Sequence, residues 1–296
     1  MTTPLPFGIA IGERLALDLL TGGPSADPLR AVAGHPSVAL VVVGASRPTS
    51  TTAVGLDPSV TAAHLVATVP TIGGVLVAVR PGADHPYNTA RRVLSVDHLS
   101  RGRVGVLFAG VDRRSGGQHG WDPDVDDAAL VRDTARLLDE LWSAWPLEAF
   151  PADQATGHYV DLDGVRHVNH RGAYEVLGPL TGPGSVQGLP VRAQLLDAGE
   201  EPLPGLDVVI EHVAGTADGP LVLTWEGRAA SGPEARPGSV IELAVPDDVS
   251  ALADALGPVV DGPHDALPTL RERLGRSAPI VTVDAATPAF ATGSTR

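Results

Sequence analysis

The chain reads as an α/β fold organised around a parallel sheet, and three stretches carry that reading. Residues 75–79 (Val-Leu-Val-Ala-Val) and 104–108 (Val-Gly-Val-Leu-Phe) are apolar runs of strand length, with a helical pattern between them. A third such run, residues 38–46, ends in small residues. Uninterrupted apolar strands joined by a helix imply strands buried on both faces, in a sheet with right-handed crossovers. Residues 38–109 therefore predict β-α-β-α-β, the repeating pattern of an α/β domain.

Each element has its own signal. Residues 7–11 make a plausible first strand, followed by a weakly periodic segment to Leu20 that Gly22-Gly23-Pro24-Ser25 breaks. Asp57-Pro58 caps a helix running to about Thr68. Pro86 suits a first helical turn, and Ala90, Val93, Leu94 and Val96 recur at helical spacing until Ser100-Arg101-Gly102-Arg103 stops them. Asp122-Pro123 opens the next predicted helix, whose Leu130, Thr134, Leu137, Leu138, Leu141 and Trp142 share one face until Pro146. Residues 147–190 have no sustained helical period, and a loop-rich insertion of that length is more often functional than idle. A strand is predicted at 191–196.

Beyond that strand the connections shorten. Runs at 206–213, 220–225 and 240–245 are separated by Pro/Gly-rich segments too short for a crossover helix. Parallel neighbours ordinarily need about a dozen connecting residues, so these strands are expected to pair antiparallel or lie at an edge. Helices at 247–256 and 266–274 and a strand at 280–283 complete the reading. It gives one domain over 1–285 with an insertion at about 147–190, and a flexible tail over 286–296.

Composition excludes several functions. With 296 residues the chain is long enough for one α/β barrel. A net charge of −14 argues against nucleic acid or an anionic membrane as partner. All 21 basic residues are arginine, which removes Schiff-base lysine chemistry and a P-loop lysine. The absence of cysteine removes disulfides, thiolate nucleophiles and cysteine-ligated zinc. No signal-peptide pattern or membrane-length apolar run occurs, so a cytoplasmic protein is expected.

Three ordered groups of residues carry a family likeness. The first is His85-Pro86-Tyr87-Asn88-x-Ala90-Arg91-Arg92 with Val96-Asp97-His98-Leu99-Ser100-x-Gly102-Arg103. The second runs from Leu141-Trp142 through Asp153-x-Ala155-Thr156-Gly157 to His167-Val168-Asn169-His170-Arg171-Gly172. The third is Gly178-Pro179-Leu180 with Gln187-Gly188-Leu189-Pro190-Val191. Covering about residues 56–194, these resemble the luciferase-like flavin-dependent monooxygenases, in the branch of nitrilotriacetate and dibenzothiophene-sulfone monooxygenases. The resemblance implies a TIM-type (β/α) barrel, here incomplete or remodelled in its second half. It also implies reduced FMN supplied by a separate reductase, oxygen, a small organic substrate and a homodimer.

The same resemblance locates the flavin site at the C-terminal ends of the barrel strands, where this chain departs from the pattern. Arg80-Pro81-Gly82 stands in place of hydroxyl residues, and Leu107 where a flavin-contacting asparagine is expected. Asp124 and Ala128 replace a His/Tyr pair, and Leu195-Leu196-Asp197-Ala198 replaces an Ala-Gly-Ala-Ser phosphate loop. The positions matching the cofactor site are Ser46, Arg80, Gly82, Leu107, Gly110 and Gln194, and His85 is the catalytic candidate. Two outcomes stay open: an FMN-dependent oxidoreductase, or a scaffold that has lost flavin and serves in binding or as one subunit of an assembly. A third ligand, a deazaflavin or a small acid met by Arg47, Arg80 or Arg192, completes the alternatives. His158, Asp161, Asp163, His167 and His170 have metal-ligating side chains without a compact zinc spacing, so no metal is expected. The Arg113–His119 loop, Trp121 and Trp225 read as an exposed loop and ordinary aromatics.

Overall fold

The computed structural model describes residues 7–45, 56–112, 124–197, 199–211, 221–227, 238–258, 267–277 and 289. Among these residues are the strands β1 (Phe7–Ile11), β2 (Val38–Val43), β3 (Val75–Val79), β4 (Val104–Phe108), β5 (Val168–Arg171), β6 (Glu175–Gly178), β7 (Val191–Leu196), β8 (Val208–Glu211), β9 (Leu221–Gly227) and β10 (Ser239–Leu243). Its helices are α1 (Glu13–Thr21), α2 (Ala26–Ala33), α3 (Pro58–Thr68), α4 (Pro86–Ser100), α5 (Asp127–Ser143), α6 (Pro246–Leu256) and α7 (Leu270–Arg273). They belong to two compact units, one of Met1–Ala78, Leu99–Ala109 and Val191–Arg276, the other of Val79–His98, Gly110–Pro190 and Ser277–Arg296.

The first unit is organised by a closed barrel of eight strands in the order β1-β10-β9-β8-β7-β4-β3-β2. The pairs β7 with β8, β8 with β9, β9 with β10 and β10 with β1 are all parallel. The antiparallel pairing expected for the second half is therefore corrected, and the TIM-type ring is complete. The physical reason lies in strand length. β8 has only four residues, about 13 Å, whereas the shortest connection, 212–220, can reach about 30 Å. A connection of that reach spans a strand this short with no need of a helix.

Alternation of side chains sorts each strand into an inner and an outer row. Ala10, Leu40, Val42, Leu76, Ala78, Leu107, Val191, Ala193, Val208, Ile210, Leu223 and Val240 form one buried aliphatic cluster, with Leu195 packed against it. Gly105 belongs to the same row, and a Cβ there would lie 2.6 Å from the Val191 carbonyl oxygen. Leu270 and Leu274 join this cluster from α7. The Leu270 N–H donates to the carbonyl of Gly102, just before β4, so α7 closes the N-terminal end of the ring. There Arg271 forms a buried ion pair with Asp207, which precedes β8.

At the opposite end Gly44 takes φ +78°, and a Cβ on it would meet Pro58 at 2.3 Å. That close approach seats the start of α3. Asp57 caps the helix, its Oδ1 accepting the Ser59 N–H at 2.8 Å. Substitution of Asp57 by alanine is expected to cost about 1 kcal/mol, read as a lower urea midpoint with unchanged m-value.

The second unit contains most of α4, all of α5 and the antiparallel hairpin β5–β6. The predicted face of α5 is buried as expected. The helix begins later than Asp122-Pro123 suggests, because Asp126 caps it through the Ala129 N–H at 2.8 Å. Trp142 donates its indole N–H to the Ala90 carbonyl at 3.1 Å, joining α5 to α4. Several of the residues that carry the family likeness have structural tasks here. Asp97 is fully buried and accepts from Ser185 Oγ at 2.6 Å and Gln187 Nε2 at 2.8 Å. His98 Nε2 meets the Pro183 carbonyl at 3.0 Å. Asp153 accepts from the Ala155 and Thr156 N–H groups, a local turn completed by Gly157 at φ +73°.

The strand expected at 280–283 and the tail 286–296, Ala289 apart, lie outside the described residues. So do Ser46, Arg47, Trp121, the 113–119 loop and the side chain of Trp225.

Candidate functional site

Parallel α/β barrels place their chemistry at the C-terminal ends of the strands. In the barrel unit those ends carry Gly12, Gly44, Ala45, Leu195, Asp197, Glu211 and Glu242. Glu242 stands two residues past inward-facing Val240, in register with Ala10, and is half-buried. Ala10, Ala45 and Ala78 are all buried, so the inner row narrows to small side chains toward this end.

The cofactor positions suggested by sequence fare differently. Leu107 is fully buried within the aliphatic inner row and offers no polar atom. Gln194 lies between inward-facing Ala193 and Leu195, so it points out of the ring, and its Oε1 accepts the Leu203 N–H at 2.8 Å. The segment leaving β7 is acidic: Asp197, Glu200 and Glu201, with the Asp197 N–H donating to Glu200 at 2.9 Å. A phosphate dianion needs convergent donors. The described side chains at these strand ends of the barrel unit are carboxylates and aliphatic groups, which offer a phosphate no donor. Arg192 is the second residue of β7, at the closed end of the ring, and its guanidinium bonds the Gly205 carbonyl. It stands at the end of the ring opposite the one where the chemistry of such barrels is placed.

The second unit holds the other candidates, in the loop that follows β3. Arg80 is half-buried, and Gly82 adopts φ +88° with its N–H donating to the Tyr174 hydroxyl at 3.1 Å. The Asp112 N–H donates to the Pro81 carbonyl at 2.9 Å, tying in the segment of Gly110, itself at φ +83°. His85 uses its Nδ1 to accept the Tyr87 N–H at 3.2 Å, capping α4, and its ring meets Tyr174 edge-on at a centroid separation of 6.3 Å. Asp84 accepts the His85 N–H at 2.7 Å and forms an ion pair with Arg92. His85 is thus a helix-capping residue beside a buried phenol. Burial pushes the Tyr174 hydroxyl above its ordinary pKa, keeping it protonated.

The metal-type constellation is not assembled. His158, Asp161, Asp163 and His167 are exposed, and His170 is buried elsewhere. Among the described residues no group of three potential ligands is placed to hold a metal ion. His170 sits between two carboxylates, with Nδ1 2.7 Å from Glu140 and Nε2 3.1 Å from Asp133. Burial alone lowers its pKa, but the bonds to Glu140 and Asp133 outweigh it and raise the group above its ordinary value. Sequence reasoning missed Asp133, Glu140 and Tyr174, because the partners lie 30 to 92 residues apart.

The chain matches no protein-family profile. It is 32% identical over 219 residues to a pristinamycin IIA synthase subunit of Streptomyces pristinaespiralis, an overlap of 70% of this chain and 73% of that one. This chain belongs to the luciferase-like flavin monooxygenase family. A second luciferase-like relative, nitrilotriacetate monooxygenase component A of Aminobacter aminovorans, is 30% identical over 144 residues, 47% of this chain. Only 32% of that longer relative is matched. The luciferase-like barrel is seen again in EDTA monooxygenase from Chelativorans sp. BNC1. That structure superposes with a TM-score of 0.65 at 16% identity, over 93% of this chain and 99% of that one. Family and barrel agree with what the sequence predicts.

Proposed function

We propose that this chain is one member of a reduced-flavin monooxygenase assembly, in which a partner chain of the same family carries the flavin. The observation that carries the reading is the exit of β7, where Gln194 is turned out of the ring and Asp197, Glu200 and Glu201 stand. A further support is the relative from Streptomyces pristinaespiralis, which is itself one subunit of a synthase and matches over most of both chains. In this reading the family chemistry is oxidation of a small organic molecule by oxygen and reduced FMN, with a separate reductase as the flavin source. The assembly acts in the cytoplasm; no helix among the described residues is long and apolar enough to cross a membrane.

The competing reading is a homodimeric enzyme that binds FMN, or a deazaflavin, by itself. Titration of the purified chain with oxidised and reduced FMN separates the two, followed by flavin fluorescence and thermal shift. The assembly reading expects no binding at millimolar flavin, and flavin retention on co-purification with a flavin-binding family member from the same source. Micromolar binding by the isolated chain overturns it.

A further inference from the structure

The second unit contains a chain of contacts that ends on the loop leaving β3 and begins at a buried histidine. His170 on β5 has no exposed side-chain surface and meets a carboxylate at each ring nitrogen, Glu140 at 2.7 Å and Asp133 at 3.1 Å, both from α5. The same Asp133 Oδ2 accepts the Tyr174 N–H at 3.3 Å. Tyr174 in turn receives the Gly82 N–H on its hydroxyl. Between His170 and Tyr174 lies Gly172, whose N–H donates to the Tyr174 carbonyl at 3.0 Å. A Cβ on residue 172 would stand 2.1 Å from Asp133 Oδ1, so only glycine lets the carboxylate enter the hairpin turn.

We propose that this relay is a positioning device for the β3–α4 loop, holding it in place while His170 carries its proton and releasing it when the proton leaves. A doubly protonated imidazole donates to both carboxylates at once. A neutral one donates to a single carboxylate and turns a lone pair toward the other, which repels it. The hairpin then loses one of its bonds to α5 and Tyr174 loses its fixed backbone. The loop it holds leaves the C-terminal end of β3, the kind of strand end at which α/β barrels carry their chemistry.

The charged surroundings define the proton dependence. On α5, Arg136 reaches Asp133 at 3.1 Å and Glu140 at 3.7 Å and also bonds the Arg171 carbonyl at 3.3 Å, so part of the attachment survives deprotonation. On the hairpin, Arg171 and Glu175 pair with each other at 3.6 Å on the exposed face. From the β3–α4 loop, the Asp84 charge acts on the Tyr174 hydroxyl and His85 meets the Tyr174 ring edge-on. The folded-state pKa of His170 lies above its unfolded value, so its contribution is fully present below about pH 6.5. It is lost as pH rises through the raised value.

The test is amide hydrogen exchange of the 80–85 segment in the full chain between pH 6 and 9, corrected for intrinsic rates, beside an NMR titration of the His170 ring. Wild type is expected to lose roughly tenfold protection with the midpoint of His170. Tyr174→Phe is expected to exchange fast at Gly82 throughout while His170 titrates unchanged, and His170→Gln to abolish the pH dependence. Protection that ignores the His170 midpoint, or a wild-type profile in His170→Gln, overturns the proposal. If His170→Gln fails to fold, the wild-type and Tyr174→Phe profiles decide it.

Discussion

Replacing Asp207 by alanine is expected to destabilise the barrel unit by about 3–5 kcal/mol. Asp207 and Arg271 pair with side-chain exposures of 9% and 3%, at 2.5 Å and 2.9 Å through both carboxylate oxygens. One of those oxygens also accepts the Arg192 N–H at 2.9 Å. Removing the carboxylate takes the Asp207 counter-charge from a buried guanidinium and the acceptor from the Arg192 N–H. The loss falls on α7, whose Leu270 and Leu274 fill the closed end of the ring. Urea unfolding is the measurement. The double substitution Asp207→Leu with Arg271→Met is expected to recover most of the loss, because it removes both charges together. A single substitution costing under about 1 kcal/mol would place the pair in effective contact with solvent.

Trp142→Ala is expected to cost about 3–5 kcal/mol, and Trp142→Phe about 1–2 kcal/mol. The indole is 1% exposed and is among the largest fully buried side chains. Alanine removes its packing between α5 and α4 and leaves a void that the helices cannot close completely. Phenylalanine keeps most of the ring volume but loses the N–H that meets the Ala90 carbonyl. The graded pair separates packing from hydrogen bonding, and equal losses for the two variants would contradict that division. Thermal unfolding followed by far-ultraviolet circular dichroism reads the result without relying on the indole that both variants remove.

β1, β3 and β4 are legible as unbroken apolar runs and β7 by the alternation of its apolar residues, and all four lie where the pattern puts them. Three elements escape it, α2 and the two hairpin strands β5 and β6. α2 lies between glycine-rich breaks with Pro28 in its first turn, which masks a helical pattern only eight residues long. β5 carries His170 at an inward position, so the alternation that marks a half-buried strand is broken by a polar side chain whose partners are on α5. The parallel pairing of β7 to β10 escapes because connection length decides it only in proportion to the length of the strands connected. At the site, the alternation Val191, Ala193, Leu195 already turns Gln194 outward, a signal present in the sequence. The Tyr174 bond to Gly82 leaves no such trace, since it joins residues 92 apart.

The brevity of the links 197–207, 212–220 and 228–238 also bears on how the ring assembles. Each draws its two strands together by closing about ten residues instead of the roughly thirty of a helix-bearing crossover, a saving in chain entropy of roughly 1 kcal/mol per link. Neighbours in that arc are therefore neighbours along the chain, the arrangement that lowers contact order and quickens folding. On loop-closure cost alone, the arc from β7 to β10 is expected to form before β10 closes onto β1.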